Sequence, residues 1–269
     1  MSAASRAAII VAGCVALLAP TAHAHRAWLL PMGTVLSGND TWVTVDGAIS
    51  NDLFYADHAA MRLDGVTAYA PDGAVLPLEN TSTGKYRSTF DVRLAKPGTY
   101  KIASAGGGDL LFASYKVGTE TKRWRGTQAQ MATAIPKDAT EVKVSSNVRR
   151  IETFITNGAP STEVLKPTGQ GLELEPITHP NDLVASEPAK FRLLIDGKPA
   201  AGVEVEVVQG DQRYRKTTEM KISTGADGVF EVKWPEAGMY WIEAGVRGEP
   251  MNGVSRNASY IATLEVLPE

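Results

Sequence analysis

The chain has 269 residues, with 27 Lys and Arg against 30 Asp and Glu, four histidines and one cysteine, Cys14. A formal charge of −3 gives no sign of a nucleic-acid surface, whose usual footprint is a basic patch or stripe. One cysteine excludes an internal disulfide and a thiolate cluster, so burial and hydrogen bonding must hold the fold.

Residues 1–24, MSAASRAAIIVAGCVALLAPTAHA, read as a cleavable signal. Arg6 supplies the positive start, Ala7 to Leu18 the apolar stretch, and Ala22-His23-Ala24 the small-x-small cleavage site. The apolar run is shorter than the roughly 20 residues a spanning helix needs, so no stable transmembrane segment is expected after processing. Val11-Ala12-Gly13-Cys14 is a competing lipoprotein box, which would lipidate Cys14 and leave His25 internal, but few apolar residues precede it. A cut after Ala22 would put Pro20 where a small residue is wanted. A cut after Ala24 leaves 245 residues with no cysteine, 26 basic and 30 acidic side chains, and His25 at the amino terminus. The expected location is the periplasm.

From there the pattern is of short strands. His25 to Leu30 and Thr41 to Val45 predict the first two, joined by residues 31–40. Antiparallel pairing would set the end of the second strand beside the start of the first. The following loop, Ser50-Asn51-Asp52-Leu53-Phe54-Tyr55-Ala56-Asp57-His58, would then emerge at the same end as His25. Ala70-Pro71-Asp72-Gly73 is a turn signal. Ser88 to Ser104 aligns without gaps on Gly228 to Ala244 at a constant offset of 140, so that Phe90 matches Phe230, Gly98 matches Gly238, and Tyr100 matches Tyr240. This strand, Pro/Gly-containing turn and strand reads as architecture recurring in sandwich folds rather than as a shared binding role.

Thr127 with Gln130 predicts a capping box for a short helix running to Ala134 and stopped by Pro136. Glu141 to Val144 and Arg150 to Ile155 return to the sheet, and Asn157 to Gly171 is rich in breakers. Val203 to Val207 alternates apolar and charged residues at period two, Ala226-Asp227-Gly228 turns the chain, and Tyr260 to Leu267 alternates less strictly. The expectation is an all-β chain of two antiparallel β-sandwich domains, Ig-like or transthyretin-like. The first covers 25–156 with a short helical insertion, 157–171 forms a linker, and the second covers 172–269.

Hydrolytic machinery is not visible. There is no Gly-x-Ser-x-Gly elbow, and Gly106-Gly107-Gly108 lacks the lysine and helix of a phosphate-binding loop. The chemistry that stands out is at the mature terminus. There the α-amine and imidazole of His25 form a two-toothed chelator, and the strand order brings His58 and Asp57 toward it. Nitrogen donors of this kind suit copper, nickel or zinc, with the affinity order favouring copper. The amine has a reference pKa of about 7.7 to 8.0, so a metal must displace its proton and binding should weaken in acid. His179, opening the second domain in Thr178-His179-Pro180, is a further candidate ligand, and Met32 and Met61 are weaker ones. Each has an ordinary alternative: a frayed first residue for His25, a loop hydrogen bond to Asp57 for His58, and core filling for the methionines.

The mature start His25-Arg-Ala-Trp-Leu-Leu-Pro31 resembles the His-x-x-Trp-Leu-x-Pro opening of proteins with domain of unknown function 4198, which are similar to periplasmic components of nickel and cobalt uptake systems. The resemblance continues through Asn51 to His58, Gly171 to Pro180, Asp196 to Val203 and Ala262 to Pro268. It implies a periplasmic, metal-associated protein, and it carries a terminal histidine over onto His25 alone. The function expected is non-enzymatic capture or delivery of a transition metal, with metal-uptake membrane components or another envelope protein as partner. Two other classes remain open: an accessory module that binds an envelope protein or glycan with no metal role, and a copper monooxygenase resembling a histidine brace.

Overall fold

The computed structural model describes residues 25–211, 213 and 219–269, so the expected signal and cleavage site lie outside the described residues. The first sandwich is built from β1 (Arg26–Pro31), β2 (Thr41–Ser50), β3 (Val66–Tyr69), β4 (Glu79–Thr83), β5 (Arg87–Leu94), β6 (Gly98–Val117), β7 (Glu120–Gly126), helix α1 (Gln128–Ala134) and β8 (Thr140–Asn157). The second follows with β9 (Leu172–Pro176), β10 (Pro188–Ile195), β11 (Glu204–Gln209), β12 (Glu219–Ser223), β13 (Val229–Lys233), β14 (Gly238–Met251) and β15 (Val254–Val266). The chain is all-β with antiparallel sandwich packing, as the alternating sequence predicts.

The expected separation into two sandwiches is modified by a shared layer. A five-stranded sheet runs β1-β2-β5-β4, and a four-stranded one is formed by β9, β10 and β13, each completed by one two-residue strand. Between them a ten-stranded sheet runs β12-β11-β14-β15-β8-β6-β3, with β7 alongside β6. The join is a parallel pairing of β8 with β15, in register from Val144 opposite Val254 to Thr153 opposite Thr263. Because side chains alternate across a sheet, these strands feed two cores at once. Ile151 and Ile155 enter the first core with Trp28, Val43 and Phe90, and Ile261 joins them. Phe154, Tyr260, Ala262 and Leu264 enter the second, around Phe191 and Trp234.

The 140-residue offset has a physical meaning. Tyr100 is buried and its hydroxyl donates to the Lys96 carbonyl at 2.7 Å while accepting from the Lys96 amide at 2.8 Å. Tyr240 repeats this with Glu236, donating at 2.8 Å and accepting at 3.4 Å. Each sandwich therefore contains a tyrosine corner that ties the second strand of the hairpin to the turn before it. The capping box also forms as predicted, with Thr127 and Gln130 exchanging side-chain and backbone bonds.

Two sequence segments show more than the pattern assigned. Glu141–Val144 and Arg150–Ile155 belong to one continuous strand, β8, whose pairing with β6 shifts register between Ser146 and Val148. Gly107 makes that irregularity possible: its φ is +99°, and a Cβ there would lie 1.9 Å from the Asn147 carbonyl oxygen. The breaker-rich stretch before β9 is also pinned. Buried Glu173 accepts hydrogen bonds from the amides of Thr168, Gly169 and Gln170 and from the Thr168 hydroxyl, with Arg150 at 3.3 Å.

Two predictions follow from these bonds. Tyr100→Phe and Tyr240→Phe should each lower unfolding stability by about 1–3 kcal/mol, the range for stranding buried polar partners, in urea denaturation; an unchanged midpoint in either would show that corner to be dispensable. Desolvation raises the Glu173 carboxyl, but the Thr168 donors, Arg150 and the Gly169 amide outweigh it and hold it below the usual range. A depressed carboxyl stabilises above its unfolded pKa and loses that contribution as pH falls through the folded value. Glu173→Gln should therefore be destabilising at neutral pH, with the deficit shrinking below about pH 4. A deficit constant with pH would contradict this.

Candidate metal centre

Register places the site. Arg26 lies opposite Ser50 and Ala27 opposite Ile49, so the start of β1 sits beside the end of β2 as the strand order predicts. Trp28, fully buried, fixes this end by donating from Nε1 to the Ser50 hydroxyl at 2.7 Å. The loop after Ser50 is held by what it buries. Leu53 enters the first core and Phe54, at φ +59°, meets Trp28 edge-on with ring centroids 5.7 Å apart. Asp57 closes the loop on itself, accepting the Asn51 amide at 2.8 Å and its side-chain amide at 3.4 Å.

This leaves His58 exposed against His25, which is also exposed. The rings stack with centroids 3.7 Å apart and planes inclined by 15°. A metal shared by two imidazoles requires in-plane lone pairs that converge at about 2.0–2.1 Å. Parallel stacked rings aim those lone pairs side by side, so coordination requires one ring to turn, a rotamer change open to exposed side chains on a ps–ns scale. Among the described residues, no three His, Cys, Asp or Glu side chains converge as a metal cluster. The third donor would therefore be the α-amine of a processed His25 or an exogenous ligand.

Arg26 anchors the neighbouring backbone. It is only 9% exposed, bonds Glu206 at 2.8 Å and Glu219 at 3.2 Å, and lies over the Trp241 ring at 5.3 Å. Trp241 in turn donates to the Ala27 carbonyl at 3.0 Å. Glu243 stands near this group, and its carboxyl is raised by burial and by Glu206. These partners are 180 or more positions away in sequence, and no local pattern marks them.

The other candidates fall elsewhere. Asp57 is adjacent, but its oxygens are engaged by Asn51. Desolvation is the largest single influence on its carboxyl and raises it, yet the Asn51 donors outweigh this and hold it below the usual range. His179 accepts the Asn181 amide at Nδ1, and its Nε2 lies 3.0 Å from the Thr99 hydroxyl and 3.2 Å from the Ser161 carbonyl. Both ring nitrogens are used, in a polar seam that includes the Thr99–Thr156 and Thr156–Asn181 bonds. That seam adjoins Asn157, which bonds Thr41 and Leu94 at the far end of β2, and a ten-residue strand spans about 30 Å. His179 is thus separated from the His25–His58 pair. Met61 is buried beneath Gly47, and Met32, 72% exposed, lies just beyond the opposite end of β1.

Solved structures resemble the chain only loosely. A DUF4785 family protein from Legionella pneumophila has 8% identity and a TM-score of 0.23, covering 80% of this chain and 50% of that one, so the chain spans about half its length. A marsupial T cell receptor has 9% identity and a TM-score of 0.22, covering 91% and 74%, and the chicken CNTN1 FN1-FN3 domains have 7% and 0.23, covering 89% and 98%. No curated protein matches. A family model does match, across residues 22–248, and on that span the chain belongs to the DUF4198 family, a domain of unknown function.

Proposed function

We propose that the protein is a non-enzymatic periplasmic carrier that captures a transition metal through His25 and His58. The observation that carries this reading is the stacked pair itself. Two of the three histidines beyond the signal, 33 positions apart, meet at an exposed edge, one of them at the expected mature terminus. In this reading the α-amine and imidazole of His25 form a chelate and His58 adds a second imidazole. Asp57 holds the His58 loop through Asn51 and is not itself a ligand. His179 has no part. Nickel, cobalt, copper and zinc all accept such donors, and the nitrogen set orders their affinities with copper ahead. The recipient would be a metal-uptake membrane component or another envelope protein.

The test is metal titration of protein secreted with its own signal, with intact mass read on the same sample. His25→Ala, His58→Ala and a one-residue N-terminal extension should each weaken Cu(II) or Ni(II) binding, the extension by orders of magnitude because it removes the chelating amine. Equal affinity in extended and native protein would sink the proposal. Affinity should fall as pH drops below the amine's range of about 7.7 to 8.0, since protons compete for the same donors. Asp57→Ala should cost about 10- to 100-fold, as outer-shell changes do, and less than His58→Ala.

A further inference from the structure

The ten-stranded sheet has a second surface feature, on the face that also carries the first core. Paired residues in neighbouring strands project to the same side, so the register groups them directly. Arg123, Ser114 and Lys143 form one row across β7, β6 and β8, and Arg125, Phe112 and Ser145 form the next. Asn147, Asn257 and Arg247 continue it across β8, β15 and β14, followed by Arg149 and Ser259. Five exposed cations thus share one face beyond the edge of the five-stranded sheet. Adjacent strands are about 4.8 Å apart and residues about 3.3 Å, so the cations spread over roughly 20 Å in each direction.

Among the described residues, none of the five forms an ion pair, while many exposed cations elsewhere, such as Arg62, Arg93 and Lys96, do. Acids of this face cluster at the β11–β12 edge, with Glu243 beside Glu206 on the neighbouring β14. There Arg26 takes Glu206 and Glu219, and Lys221 takes Glu204. Burial and Glu206 raise the Glu243 carboxyl against the opposing pull of Arg149 and Arg26, which discourages its ionisation. The surface is hollowed into two adjoining depressions of about 430 and 290 Å³, with Lys143 and Arg247 in the first and Arg149 and Arg247 in the second. Between the cations stand hydroxyls and amides, Ser114, Ser145, Asn147, Ser255, Asn257 and Ser259, and Asn257 already donates to Asn147 at 2.9 Å.

We propose that this hollowed basic face binds an acidic polysaccharide, with the five cations taking its carboxylates and the serine and asparagine rows taking its hydroxyls. Charge of one sign selects a polyanion, and short polar side chains between widely spaced cations suit a polymer that is itself mostly hydroxyl. A single-stranded nucleic acid is the other polyanion to weigh, but its binding relies on aromatic platforms for the bases. Here Phe112 is covered by Arg125, with the guanidinium 5.3 Å from the ring, and Trp124 is half-buried. The face is independent of the histidine pair.

The experiment measures affinity of the whole chain for polygalacturonate, with neutral dextran and a thymidine oligonucleotide alongside. Polygalacturonate should bind, weaken as salt shortens the range of exposed charges, and lose at least tenfold in affinity in the triple variant R123Q/K143Q/R247Q. Removing three exposed lysines elsewhere, K85Q/K198Q/K233Q, should leave affinity unchanged, as should His25→Ala. The charge-retaining R123K/K143R/R247K should keep most of it, which separates loss of charge from loss of fold. Absence of polygalacturonate binding, equal binding of dextran, equal loss in the two triple-glutamine variants, or tighter binding of the oligonucleotide would each overturn the assignment.

Discussion

The parallel pairing of β8 with β15 is the constraint on which the rest of the molecule depends. Ten consecutive residue pairs, Val144–Val254 to Thr153–Thr263, make the final strand of the chain continuous with the sheet of the first sandwich. Neither sandwich can then lose this edge without exposing backbone donors and acceptors on both strands, since buried peptide groups need partners. The pairing also explains the double use of sequence. Tyr260, Ile261 and Ala262 are three buried neighbours, which a half-buried strand would not contain; they alternate between two cores, one on each face of the shared layer. An uninterrupted apolar run is what a strand covered on both faces should show.

Ionic groups line one face of this layer. Tyr260 donates its buried hydroxyl to Glu152 at 2.9 Å, Glu152 lies 3.3 Å from Arg150, and Arg150 reaches Glu173 at the same distance. Burial pushes the Tyr260 hydroxyl well up, so it remains a donor at any ordinary pH. A chain of this kind contributes less through Coulomb attraction, which desolvation largely offsets, than through fixing one arrangement of the strands. Here it ties β8, β9 and β15 together on the second core's side of the shared layer.

Much of this was legible in the sequence, and the parts that were not have physical reasons. Local devices read well because their causes are local: Thr127 and Gln130 cap a helix within four residues, and the alignment of Tyr100 with Tyr240 marked a recurring hairpin whose corner bonds, unread in the sequence, reach back only four. The meeting of the His25 and His58 ends followed from strand order alone, because an antiparallel neighbour fixes which ends lie together. What stayed hidden was long-range. A parallel join between strands more than a hundred residues apart leaves no periodic mark, and it converted two separate sandwiches into three layers. The surroundings of His179 could not be read locally, because two of the groups around its ring, Thr99 and Ser161, lie 80 and 18 positions away. Net charge hid the basic face, since a sum over the chain is blind to the segregation that strand register produces.

Arg26 connects this architecture to His25, the residue proposed as the mature terminus. An end residue normally frays, and a flexible donor pays conformational entropy each time it binds. Arg26 follows His25 directly and is held by Glu206, Glu219 and the Trp241 ring, with Trp241 also gripping the Ala27 carbonyl. Burying a guanidinium between carboxylates gains little net stability against its desolvation, so its value lies in position. It brings the ordered backbone up to the residue beside His25, leaving that residue its own torsions to search. On the facing side, Leu53, Phe54 and the Asp57–Asn51 bonds do the same for His58. The backbone on both sides of the His25–His58 pair is thereby ordered by the core and by the Arg26 contacts, and under the proposed metal role that ordering cost would be met before a ligand binds.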